Sequence, residues 1–202
     1  MFDRYALDLL KSPVTAIARL LHQRGVSPNA VSFAGFLVGA AAAALIVFGH
    51  TSAAIPLILI SRALDGIDGA LARLSAATDR GAFLDIALDF IFYALIPLAF
   101  ALADPPANAL AGAILLAAFV GTGSSFLAYA VVAEKRGLKS TAYPSKSIYY
   151  LGGLTEGTET IACFIAMCLW PQHFSAIALG YAALCAVTTV TRMVAGWKTF
   201  GP

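Results

Sequence analysis

Six long apolar runs, each closed by a short break containing polar residues, glycine or proline, set the pattern of this chain. They predict helices over residues 29–48, 52–74, 81–102, 108–132, 147–170 and 175–197. An α-helix rises about 1.5 Å per residue, so about 20 apolar residues cross the roughly 30 Å hydrocarbon core of a bilayer. Residues 1 to about 24 read differently. Phe2, Tyr5, Leu9 and Leu10, then Ile17, Leu20 and Leu21, alternate with Arg4, Lys11, Arg19 and Arg24. That pattern predicts a broken amphipathic helix lying on a membrane surface, its basic residues toward anionic headgroups. Ser27 is placed to N-cap the first span, with Pro28 at its first position. Gly35 and Gly39, four apart, predict a close helix contact. Pro97 predicts a kink in the third span.

Composition narrows the class. Of 202 residues, 60% are hydrophobic and 12% charged. A soluble domain of this size needs far more polar surface. The expectation is therefore an all-α integral membrane protein of six transmembrane helices preceded by an N-terminal interfacial amphipathic helix. Residues 1–28 form the cytoplasmic interfacial segment and 29–202 the membrane domain. No signal peptide is evident, since Asp3 and Asp8 interrupt the N-terminus. Cys163, Cys168 and Cys185 lie in apolar runs without zinc spacing and read as packing residues. The 13 lysines and arginines fall before the first span, near the far end of the second, between the fourth and fifth, and at the C-terminus. The positive-inside rule then places both termini and that end of the second span in the cytoplasm, with a bacterial inner membrane as the expected location. Nothing points to nucleic acid.

The chemistry concentrates in 25 residues. Asp65 and Asp68 are three apart, and Asp85 and Asp89 four apart, so on a helix each pair shares a face. Two antiparallel helices joined by the connector 74–80 bring the pairs together. Four carboxylates at one spot repel unless a cation lies between them. Oxygen-only ligands point to Mg²⁺, Mn²⁺ or Ca²⁺ rather than zinc. Acidic side chains inside membrane segments are costly and usually functional.

The pattern Asp-x2-Asp-Gly-x2-Ala-Arg, then seven residues, then Gly-x3-Asp-x3-Asp, resembles the signature of the CDP-alcohol phosphotransferase family, membrane enzymes that make phospholipids. Asp65, Asp68, Gly69, Ala72, Arg73, Gly81, Asp85 and Asp89 carry the match. At a usage of about one in fifteen per residue type, chance gives it roughly once in 10⁹ starting points. The resemblance implies transfer of the phosphatidyl group of CDP-diacylglycerol to the hydroxyl of a small polar alcohol, releasing CMP, in a homodimer. It implies a two-metal site of Mg²⁺ or Mn²⁺ on Asp65, Asp68, Asp85 and Asp89, with Ca²⁺ as an inhibitory occupant and Asp89 as general base. Whether Asp89 also ligates a metal stays open. Gly69, Ala72 and Gly81 would accommodate the nucleotide, or serve helix packing. Arg73 would pair with phosphate, or sit as an interfacial arginine. Asn29 and Ser32 match a Pro-Asn-x-x-Thr stretch of the family with Ser for Thr, or simply cap the first span.

The acceptor alcohol is less legible. Family members using a phosphorylated acceptor carry Ala-Arg-Ala-Glu near the end of the fourth span. Here Ala133-Glu134 match, but Val132 stands at the arginine position. That removes a phosphate clamp, though Lys135, Arg136 and Arg192 are available as a basic pocket. Arg192 could equally snorkel to the interface. Glu156 and Glu159 are expected on one face of the fifth span, holding a polyol or an ammonium group, or pairing with Arg62, Arg73 or Arg192. Two rivals remain: transfer of a phospho-alcohol from a CDP-alcohol to diacylglycerol, and a divalent-cation transporter built on the same carboxylates.

Overall fold

In the computed structural model, which describes residues 3–75, 77–138 and 153–201, the chain is all helical. The helices are α1 (Asp3–Gln23), α2 (Pro28–Val47), α3 (Thr51–Ser75), α4 (Asp79–Ala103), α5 (Pro105–Lys135), α6 (Gly157–Leu169) and α7 (Phe174–Phe200). The predicted cap of the first span holds. Ser27 Oγ accepts from Ala30 N at 3.3 Å, and Pro28 opens α2. Asp104 ends α4 and starts α5, accepting from Ala107 N at 3.3 Å, so those helices meet without a loop. Prolines suit a first turn, which is why α5 begins at Pro105, earlier than predicted.

Among the described residues, four helical stretches, α2, α4, α5 and Pro171–Phe200, are long and apolar enough to cross a membrane. Large apolar side chains such as Phe33, Leu37, Phe48, Leu110 and Trp197 are exposed around them, as a lipid-facing perimeter requires. α3 matches α4 in length but carries Arg62, Asp65, Asp68 and Arg73. α6 has only 13 residues, about 20 Å at the helical rise.

Two expectations are corrected here. The N-terminal stretch is one continuous helix with Pro13 inside it, not a broken one. The fifth span does not run unbroken from 147 to 170: residues 153–156 are non-helical, and α6 begins at Gly157. Glu156 has extended backbone (φ −99°, ψ −176°), and its Oε1 accepts from Gly153 N at 3.1 Å. This local turn competes with helix. Glu156 and Glu159 therefore do not share a helical face. Lys139, Lys146, Gly152 and the predicted start at Ser147 lie outside the described residues, as do the side chains of Arg4 and Lys11.

α2 packs on α3 and α4, α5 packs on α4 and α7, and α6 touches α3 and α7. The main core joins Ile46, Ile58, Phe92, Ile96, Leu115, Phe164 and Met167. Phe100 and Phe174 stack at 4.6 Å. A second cluster of Ala18, Val31, Ile67, Ala70 and Leu71 fastens α1 to the aspartate-bearing end of α3. His22 Nδ1 and Ser75 Oγ, 3.0 Å apart, close that end.

Candidate active site

The site begins with close approaches at two glycines. A Cβ on Gly35 would meet Leu64 Cβ at 3.1 Å, and one on Gly39 would meet the Phe92 ring at 2.6 Å and Ser61 Oγ at 2.9 Å. The predicted small-residue contact thus presses α2 against α3 and α4. Thr78 Oγ1 accepts from Gly81 N at 3.1 Å and starts α4 opposite the end of α3. The short connector does bring both aspartate pairs into one recess, which Ser32, Ser61, Arg62, Asp65, Asp68, Asp85 and Asp89 line.

Within it, Asp65, Asp68 and Asp85 each offer a carboxylate oxygen, and these oxygens lie within 4.8 Å of one another. Asp68 is only 4% exposed, and its Oδ2 has no hydrogen-bond partner among the described residues. Buried carboxylate oxygen is costly when unpartnered. Three converging oxygens with an orphaned buried atom fit a hard divalent ion. Asp89 is engaged differently: Arg62 Nη1 donates to its Oδ1 and lies 3.6 Å from Asp65 Oδ1.

Arg62 is the site residue that sequence reasoning misplaced, as a charge near the end of the second span or a partner for Glu156 and Glu159 rather than for Asp65 and Asp89. The signal was present: an arginine inside an apolar span, three residues before Asp65. Its guanidinium lies 4.1 Å from the Phe92 ring centroid, and Nη2 donates to Ser61 Oγ at 3.3 Å.

The glycines divide. A Cβ on Gly69 would meet nothing nearer than Arg73 Nη1 at 3.7 Å, so open space lies over Gly69 with the Arg73 guanidinium at its edge. A Cβ on Gly81 would meet Asn29 Oδ1 and Thr78 Oγ1, each at 3.2 Å, so the protein itself fills that position. Ala72 is half-buried on the same helix. Ser32 is buried and donates to Pro28 O at 3.2 Å.

The residues named for an acceptor pocket do not form one group. Arg192 is buried, 8% exposed, so it does not snorkel, and Nη1 donates to Thr122 O at 3.1 Å. It lies beside Gly153, where a Cβ would be 3.1 Å from Nη2. Thr155 and Thr188 share a 3.0 Å hydrogen bond at the same level, and Thr160 and Tyr181 one of 2.7 Å. Lys135 and Arg136 stand about 20 Å farther along α5 than Thr122, by helical rise. Arg136 there donates to Phe200 O at 2.8 Å. The predicted basic pocket of Lys135, Arg136 and Arg192 is thus split between two levels of the bundle. The three cysteines are free, and Cys168 and Cys185 are buried.

Known proteins bear on this arrangement at three levels. The inner membrane protein YnjF of Escherichia coli strain K12 is 49% identical over 199 residues, which cover 98% of this chain and 97% of that one. Crystal structures of Mycobacterium tuberculosis phosphatidylinositol phosphate synthase (PgsA1) share the fold at 24% identity. The one with CDP-DAG bound has a TM-score of 0.73 and covers 91% of this chain and 93% of that one. The one in complex with manganese and citrate has 0.71, covering 91% and 88%. The pattern described as CDP-alcohol phosphatidyltransferase matches residues 25–191, and with them the whole of the aspartate recess. On that match and the near full-length relative, the chain belongs to the CDP-alcohol phosphatidyltransferase family.

Proposed function

We propose that this phosphotransferase moves the phosphatidyl group of CDP-diacylglycerol onto the hydroxyl of a small polar alcohol and releases CMP. The observation that carries the reading is the juxtaposition of three converging aspartates, an arginine-held fourth aspartate and open space over Gly69 in one recess. The PgsA1 structures, one with CDP-DAG and one with manganese, support the donor and a divalent ion.

Asp65, Asp68 and Asp85 would hold Mg²⁺ or Mn²⁺, which when bound offsets diphosphate charge and stabilises the departing phosphate. Gly69 and Ala72 leave room for the cytidine, and Arg73 offers its guanidinium to a phosphate. Gly81 lets Asn29 close against the start of α4, a role in shaping the recess, and Ser32 closes its wall. Asp89 takes the proton of the acceptor hydroxyl. That oxygen attacks the phosphorus bearing diacylglycerol, the bond from this phosphorus to the CMP oxygen breaks, and CMP leaves with the electron pair. The acceptor reaches the recess from the polar level of Arg192, Glu159 and the Glu156 turn. Lys135 and Arg136 serve the outer edge of that path.

The setting is a bacterial inner membrane, as the relative's name suggests, with six spans: the four apolar helices, α3 and α6. Residues 1–28 lie along the cytoplasmic interface, residues 29–202 form the catalytic domain, and two chains pair as a homodimer. The test is CMP release from purified protein in lipid with Mg²⁺ or Mn²⁺. Release from CDP-diacylglycerol but not from CDP-choline or CDP-ethanolamine is expected. The opposite donor preference would reverse donor and acceptor.

A further inference from the structure

We propose that α1 is a two-sided helix. One side binds the anionic phospholipid surface of the cytoplasmic leaflet, and this docking seats the other side against α3, so that the donor nucleotide binds more tightly in an anionic than in a zwitterionic bilayer. The inference rests on the donor reading above, with the nucleotide over Gly69, and adds a partner and a regulation to it.

The part of α1 after Pro13 divides into faces. Val14, Ala18 and Leu21, at i, i+4 and i+7, turn to the bundle and pack with Val31, Ile67, Ala70 and Leu71. Ile17 and Leu20, three apart, lie on a second face and stay 45% and 48% exposed. The apolar sector of the helix is thus wider than the protein covers. Leu74 at the end of α3 and Phe83 in the first turns of α4 are exposed as well, so this end of the bundle presents apolar side chains outward, as contact with lipid requires. Arg19 and Arg24 are exposed, and among the described residues neither has an ion-pair partner. No acidic residue occurs between Asp8 and Asp65. Apolar side chains flanked by arginines fit a leaflet of anionic headgroups.

The docking reaches the site through α3. Pro13 removes a helical hydrogen bond, and Val14–Gln23 is shorter than the about 12–15 residues that a helix needs to persist alone in water. This segment therefore depends on the surfaces it touches. Its protein contact falls on Ile67, Ala70 and Leu71, in the same turns as Gly69 and Ala72. His22 Nδ1 lies 3.0 Å from the hydroxyl of Ser75, the last residue of α3. A leaflet that holds α1 in place also holds this end of α3, and with it the positions of Gly69, Ala72 and Arg73. Lipid and nucleotide then favour the same seated arrangement, and each strengthens the binding of the other.

The test uses the full chain in nanodiscs of phosphatidylcholine, with or without added phosphatidylglycerol, and CDP as the probe at saturating Mg²⁺. The CDP dissociation constant is expected to fall by about fivefold or more in the anionic discs, opposite to the effect of repulsion between CDP and an anionic surface. The double variant Arg19→Gln, Arg24→Gln is expected to bind CDP alike in both discs, with the wild-type affinity in phosphatidylcholine. In parallel, lipids brominated on the acyl chains should quench Leu20→Trp fluorescence, beyond the wild-type signal of Trp170 and Trp197, and more so in anionic discs. Equal CDP affinity in the two discs would overturn the proposal. So would a lipid dependence that survives in the double variant, or an unquenched Leu20→Trp. No CDP binding in either disc would overturn the donor reading, and the proposal with it.

Discussion

Asp85 and Asp89 stand one turn apart on α4, yet their surroundings differ. Asp85 converges with Asp65 and Asp68, whereas Asp89 faces Arg62. If Asp89 is the proton acceptor, Asp89→Asn should lower the turnover of CMP release by about 10²–10⁴-fold, with little change in donor KM. A rise in KM at unchanged turnover would make it a binding group instead. Gly69 supplies a second test. Because open space lies over it, Gly69→Leu should fold normally, yet raise the KM for CDP-diacylglycerol by about tenfold or more. Unaltered kinetics would move the nucleotide elsewhere. The clustering of the aspartates was legible in a spacing that puts carboxylates on shared faces, while their separate roles are what the family resemblance implies. Arg62 obeyed the same i, i+3 rule with Asp65, but no spacing shows that its guanidinium turns to a neighbouring helix and lies on an aromatic ring.

At the scale of helices, the aspartates meet because α2 is nearly smooth where it crosses α3 and α4. Gly39→Val would drive a side chain into the Phe92 ring, the surface on which Arg62 rests. Overpacking of this kind costs about 1–3 kcal/mol, so a lowered melting temperature and reduced activity together are expected. Gly180, on α7, is the control: a Cβ there meets nothing within 4 Å. Gly180→Ala should hold or raise stability, by up to about 1 kcal/mol from helix propensity. An equal loss of stability in both variants would mean that the Gly39 contact is not what seats α4. The Gly35–Gly39 contact and the Ser27 cap were readable because they depend on local chemistry. The start of α6 was not: Gly153-Leu154-Thr155-Glu156 falls within the predicted fifth span, and the turn in which Glu156 accepts from Gly153 N takes it out of the helix. Non-helical backbone at membrane depth is tolerated where protein covers it, and Thr155 and Glu156 are buried.

Across the whole molecule, the recess and the polar level around Arg192 both lie well inside the ends of long helices. Under the proposed function, a lipid-linked donor would enter sideways from the bilayer and a polar acceptor from the aqueous end. The run of apolar segments made the all-helical class plain from sequence. Helix length together with charge left the span count less plain, because α3 carries charge and α6 is short. The acceptor itself was obscured by distance along the chain: Lys135 and Arg192 looked like one pocket, but α5 carries Lys135 far from Thr122, where Arg192 is anchored. The most direct measurement follows both products in one assay. Purified protein in lipid receives CDP-diacylglycerol and Mg²⁺ or Mn²⁺. Serine, glycerol 3-phosphate, inositol, inositol phosphate or choline is then added singly, and CMP and new phospholipid are quantified. The account predicts equimolar CMP and phospholipid with one class of acceptor, abolished in Asp89→Asn. No CMP with any alcohol, from a protein that instead carries Mn²⁺ across the bilayer, would contradict it.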